Sequence, residues 1–226
     1  MDTLSNVDIC RGEKEPLTLD LSPSSSRVEQ DTQAWASSNY VRKENHNWFV
    51  LRVTYNRVEI AYEILIGDHI QAYMPMHNTY RQNENNKIKR KTEPLLPNIL
   101  FVYATVKQID FYIKHHPILS HFLRYFRDKT KPRMPDDKHP PLIVRFNDMM
   151  NFIRTTSIDN EHIKVVEPKQ CHYKGGDIVL ITDGDFKGVK GKVARVSGQQ
   201  RVVVEIEGLC LVATAYIPTA FISKTY

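Results

Sequence analysis

The feature that most constrains the fold is the run from Lys174 to Val193, in which glycines at 175, 176, 184, 188 and 191 punctuate Ile178, Val179, Leu180, Ile181, Phe186, Val189 and Val193. Glycine at turn positions with apolar alternation between them predicts short, sharply turned strands. The strands expected are 177–182, 191–197, 202–207, 209–215 and a last short one at 220–223, with turns at Gly184, Gly188, Gly198 and Gly208. Together they form a small all-β barrel closing the chain. Barrels of this kind contact RNA or other proteins more often than they carry catalysis.

At 226 residues the chain has room for two modest domains. Its net charge of +5 is mild, but unevenly placed. Residues 1–47 carry 5 basic and 8 acidic side chains, residues 48–176 carry 20 and 13, and residues 177–226 carry 6 and 5. Positive charge is therefore concentrated in the middle. Cys10, Cys171 and Cys210 have no paired spacing, so neither a disulfide framework nor a zinc knuckle is encoded. There is no apolar run of the roughly 20 residues a membrane span needs and no basic-then-apolar leader, so a cytoplasmic protein without a membrane partner is expected.

Residues 1–45 are rich in serine and scattered acids and are expected to be a disordered leader, with Trp35 as a short docking candidate. Residues 46–166 read as an α+β domain. Trp48–Val53 is a core strand, and Asn56 is placed to cap a helix to Asp68 with Val58, Ala61, Tyr62 and Leu65 on one face. A strand over 70–80, interrupted at Pro75, is expected to form a hairpin with the apolar strand 95–104 across the polar loop Arg81–Lys91. Ile109, Tyr112 and Ile113 give a short helix, 121–126 a strand and 144–153 a helix with Phe146, Met149, Met150 and Ile153 on one side. The N-terminal antiparallel sheet is thus flanked by helices. Residues 167–174 are a linker, and 175–226 the barrel.

The glycine-spaced run has the pattern of a KOW motif, carried by Gly176, Asp177, Gly184, Lys187, Gly188 and Gly191. Preceded by Trp48-Phe49-Val50-Leu51 and Glu93-Pro94-Leu95-Leu96-Pro97-Asn98-Ile99-Leu100-Phe101-Val102, it resembles the NusG family of transcription elongation factors over residues 48–226. The Glu-Pro-Leu-Leu-Pro-Asn run and Ser120–Arg124 resemble the specialised RfaH-like and capsular-polysaccharide antiterminators more than the general factor. The resemblance implies a monomer without cofactor or catalytic residues, binding the clamp helices of RNA polymerase through an exposed apolar patch. On this chain the matching positions are Leu96, Pro97, Ile99 and Phe101. It further implies that Arg81, Lys87, Lys89, Arg90 and Lys91 lie along upstream or non-template DNA, and that the barrel takes a ribosomal protein.

Some positions depart from that pattern. Thr54-Tyr55 stands where RfaH carries a basic pair, Asp110–Ile113 where the family has a threonine-rich gate-loop contact, and Glu207 where general factors carry an aromatic residue. Enzyme readings find less support. His115, His116, His121 and His139 lack metal-ligand spacing, Asp136-Asp137 lacks an opposing acid, and the glycines around 184–191 lack the Walker order. A ribosome-associated KOW protein gripping RNA is the alternative, but the terminal unit is nearly neutral.

Overall fold

The computed structural model describes residues 39–82, 88–158 and 162–225. Its first sheet is antiparallel in the order β2-β5-β1-β6, built from β1 (Asn47–Val53), β2 (Gln71–Tyr73), β5 (Ile99–Ala104) and β6 (Leu123–Tyr125), with β7 (Ile143–Val144) also pairing with β1. Alternation along the two central strands sends Trp48, Val50, Phe101 and Tyr103 to one face and Phe49, Leu51, Leu100 and Val102 to the other. Both faces are covered, which is why all six residues of β5 are buried. Helices α1 (Val58–Gly67) and α2 (Val106–Lys114) cover the second face through Ala61, Leu65, Ile109 and Tyr112. Helix α3 (Phe146–Thr156) covers the first through Met149, Phe152 and Ile153.

The C-terminal sheet is all-β and antiparallel, ordered β13-β9-β10-β11-β12-β8. Its strands are β8 (Lys164–Val166), β9 (His172–Ile181), β10 (Lys190–Val196), β11 (Gln199–Ile206), β12 (Cys210–Tyr216) and β13 (Ile222–Lys224). The five strands expected from the glycine pattern are present. The sixth, β8, comes from the segment before the expected linker and pairs with β12. Within the linker, Pro168–Gln170 forms a 3-10 turn, and His172 already begins β9.

Val202, Val204, Ile206 and Val212 of this sheet share one hydrophobic cluster with α3, Trp48 and Phe101. The layers therefore run α1 and α2, first sheet, α3, second sheet. Val203, Ala213, Ala194 and Leu211, on the other face, form a smaller cluster with Val166 and Cys171. Burial on both faces accounts for the uninterrupted Val202-Val203-Val204 run.

Several local expectations change. Asn56 does not cap α1: Tyr55 and Asn56 both adopt positive φ, at 60° and 54°, and Arg57 takes the cap position without a side-chain bond. The last helical residue is Gly67, one short of the expected Asp68, and the left-handed residue that turns the chain is His69. Helix α2 starts at a capping box between Thr105 and Gln108. The stretch 121–126 divides into a 3-10 turn, Leu119–His121, and the short β6. Packed chain begins before residue 46. Tyr40 stands edge-on to Trp48 at 5.0 Å, and the Lys43 amide donates to Tyr103 Oη at 2.8 Å. Residues 1–38, with Trp35, lie outside the described residues.

The expected polar loop is also different. Residues flanking Pro75 form two separate strands, and only β2 joins β5. Beyond Pro75, β3 (Met76–Gln82) pairs with β4 (Ile88–Pro94) in a two-stranded ribbon of its own.

Candidate functional site

Three surfaces bear the residues singled out by sequence. The first surrounds the start of β5. After β4 ends at Pro94, Leu95 and Leu96 turn inward, Asn98 takes a positive φ of 62° and Ile99 enters the sheet. That left-handed residue makes the sharp reversal possible. The expected patch is not an exposed one. Leu96, Ile99 and Phe101 are 8%, 9% and 0% exposed, because the sheet face they occupy is the one α3 covers. Phe101 meets the Phe152 ring at 5.2 Å between centroids. Pro97 alone of the four stands in solvent.

The second surface is the β3–β4 ribbon. Its register sets Arg81 against Lys89, Tyr80 against Arg90 and Thr79 against Lys91. Paired residues share a face, so Lys89 and Lys91 lie on one side of the ribbon and Arg90, Tyr80 and Ile88 on the other. Lys89, Arg90 and Lys91 are exposed, as are Tyr80 and Ile88. Lys91 is held at 3.1 Å by Glu93. Lys87 lies outside the described residues, and for Arg81 the backbone alone is described.

The third surface is the loop between β9 and β10, where Gly184, Lys187 and Gly188 fall; Gly176 and Asp177 lie within β9 and Gly191 within β10. Gly184 and Gly188 need glycine for their positive φ values of 77° and 84°. Gly191 needs it for space: a Cβ there would come within 2.5 Å of the Val203 carbonyl oxygen. Lys187 points into solvent.

This loop rests on α3. Arg154 Nη1 donates to the Gly188 carbonyl at 2.8 Å, the Lys190 amide donates to Asn151 Oδ1 at 2.7 Å, and Asn151 Nδ2 returns a bond to the Lys190 carbonyl. Sequence reasoning missed both side chains. Their signal was present: Asn147, Asn151 and Arg154 recur at four- and three-residue steps, a polar stripe beside the buried Met149, Phe152 and Ile153. Two further buried charges were missed. Asp128, 3% exposed, accepts from the Thr130 hydroxyl at 2.5 Å and the Thr130 amide at 3.0 Å, and Lys131 Nζ lies 3.3 Å from its other oxygen. The Thr130 bonds, with help from Lys131, hold its carboxyl below the usual range. Its Oδ1 faces Gly208 in the turn between β11 and β12. Arg201, 7% exposed, donates through Nη1 to the carbonyls of His162 and Thr214, each at 2.8 Å, and through Nη2 to Gln199 Oε1.

Groups suited to other chemistry are placed differently. Burial pushes the Cys210 thiol up to about 12, opposite to what a thiolate nucleophile requires. His116 Nδ1 accepts the amides of Ile118 and Leu119. Among the described residues no group of three or more His, Cys, Asp or Glu gathers as a metal site, and no helix is long and apolar enough to cross a membrane.

Residues 46–143 match the family model described as transcription termination factor nusG. Residues 176–205 match the KOW motif. The chain carries a NusG-family domain followed by a KOW motif. The NusG match covers β1 through the first residue of β7, and the KOW match runs from Gly176 within β9 to Glu205 in β11. Helix α3 lies between the two matches. No curated protein matches the chain. NusG-family proteins are transcription factors that act with RNA polymerase, and this chain has the domains of that class.

Proposed function

We propose that this protein is a NusG-family elongation and antitermination factor of the specialised RfaH-like or capsular-polysaccharide type, working in the cytoplasm as a monomer. The observation that carries the reading is the succession of a NusG domain and a KOW motif on one chain. In this reading the N-terminal domain docks on the polymerase clamp helices at the turn leading into β5. Pro97 supplies the exposed contact, Leu96 and Ile99 form its apolar border, and Phe101 supports them from the core. A partner helix desolvating such a border gains roughly 25 cal/mol for each Å² of apolar surface covered. The basic β3–β4 ribbon runs beside upstream or non-template DNA, where each phosphate it neutralises releases counterions. The KOW sheet meets a second partner of the ribosomal-protein type. No step requires a catalytic group or cofactor.

The test is transcription in vitro on a template carrying a terminator, with core polymerase and the full chain. Read-through rising with added protein, together with retention of polymerase by the immobilised chain, is expected. Retention of ribosomes without polymerase overturns the reading in favour of an RNA-binding ribosomal role.

A further inference from the structure

Beside β2, between the foot of the β3–β4 ribbon and the end of α3, lies an open cavity of about 240 Å³. No residue given a role above lines it. Its volume falls below the roughly 300–1,000 Å³ of small-molecule sites and suits one large side chain. Met74, Met76, Ile158 and Ile163 give it apolar walls, and methionine sulfur packs favourably against aromatic rings.

One wall is polar. Tyr73 Oη lies 2.7 Å from Thr156 Oγ1 and 3.2 Å from Ser157 Oγ. The Thr156 hydroxyl donates to the Phe152 carbonyl at 2.8 Å, so Tyr73 donates to Thr156 and Ser157 donates to Tyr73. Half-buried Ser157 then keeps acceptor capacity on its oxygen. A flat apolar group with one N–H donor matches such walls, and among side chains that is the indole of tryptophan.

The chain itself can deliver one. The described residues begin at Asn39, whose carbonyl accepts from Gln71 Nε2 at 3.5 Å, and Tyr40 Oη donates to the Ala72 carbonyl at 3.4 Å. The leader therefore arrives alongside β2, which is the end strand of its sheet. Trp35 stands four residues upstream of Asn39, a stretch that spans about 13 Å when extended. Met74 stands three residues past Gln71, about 10 Å along the strand direction. So short a tether keeps the cost of loop closure small. Charge favours the same course. Residues 1–38 carry seven acidic and three basic side chains, with Glu29 and Asp31 just upstream of Trp35, and the ribbon beyond the cavity exposes Lys89, Arg90 and Lys91.

We propose that residues 29–38 fold back along β2 and seat Trp35 in this cavity, making the leader an intramolecular strap over the sheet edge. An uncovered edge would offer its backbone groups to other chains.

The experiment uses the full chain, with Trp35 emission taken as the difference between each protein and its Trp35→Phe counterpart; the other tryptophan, Trp48, is wholly buried. Blue-shifted Trp35 emission is expected, with acrylamide quenching several-fold weaker than that of N-acetyltryptophanamide. Met76→Glu, which sets a charge among the apolar walls, should shift this emission to the red and restore quenching, with the far-ultraviolet circular dichroism unchanged. Met76→Ser removes the wall without adding charge and is the second variant should the glutamate disturb folding; a change in the same direction is expected. Trp35 quenched as freely as the reference compound in the unaltered chain overturns the proposal and leaves the cavity to an outside partner. Protection that appears only as protein concentration rises overturns it in favour of the leader of a second copy. Protection unchanged in both Met76 variants overturns this cavity as the seat. No polymerase enters the assay, so failure here leaves the transcription reading standing.

Discussion

Ile99 and Pro97, two residues apart, respond differently to the same substitution because of where their side chains lie. Ile99 is 9% exposed, so Ile99→Asp buries an unpaired charge and should unfold the domain, lowering polymerase binding and circular dichroism together. Pro97→Asp is made in solvent and should reduce polymerase binding several-fold with the melting temperature almost unchanged. Retained binding by folded Pro97→Asp removes this turn from the contact. Gly191→Ala places a methyl against the Val203 carbonyl, which cannot move without its strand, and should cost roughly 1–3 kcal/mol in urea unfolding. Asp128 links stability to acidity. Its folded-state pKa is depressed, so its contribution is present above its unfolded value, near pH 4, and is lost as pH falls through the folded value. Asp128→Asn should therefore cost about 1–3 kcal/mol at neutral pH and flatten the acid limb of a stability profile; an unchanged limb would exclude this carboxylate as the cause. The KOW glycines were legible one by one, since positive φ and close approach leave glycine little competition. Asp128 and Arg201 were not, because a charged residue in a sequence does not disclose that it will be buried.

Elements were legible where burial is two-sided or periodic. The apolar β5 and the three-to-four spacing of α1 and α3 could be read directly, and the Thr105-to-Gln108 cap was available to be read. The β3–β4 ribbon was not. Ile88, Lys89, Arg90, Lys91 and Thr92 are all exposed, so backbone pairing organises this strand without the core that would have marked it in the sequence. That same exposure makes the ribbon testable as a polyanion-binding surface. Replacing Lys89, Arg90 and Lys91 by glutamine should reduce the salt slope of binding to a transcription scaffold by up to about 3, near one for each phosphate no longer neutralised. An unchanged slope would return the ribbon to solvent. Strand β8 escaped notice for another reason: three residues just ahead of the expected connector pair with β12, and long-range pairing leaves no local pattern.

At the scale of the whole molecule, the sequence divides at a connector while the apolar core does not. Trp48 and Phe101 on one side and Val202 and Val212 on the other belong to a single cluster with α3 between them. Tryptophan emission from Trp48 and hydrogen exchange in β11 should therefore report one common urea midpoint. Asn151→Ala/Arg154→Ala, which removes the polar bonds from α3 to the loop before β10, should separate the two midpoints; coincident midpoints in that variant would show apolar packing alone to be sufficient. The shared core was not legible because Val202, Val203 and Val204 announce burial without saying against what. Arg201 has a different consequence. Its guanidinium grips main-chain oxygens of His162 and Thr214 and the side-chain amide oxygen of Gln199, and none of these gains a proton in mild acid. As Asp128 is neutralised and its corner loosens, this latch stays shut, so acid should open the molecule like a book still bound along its spine.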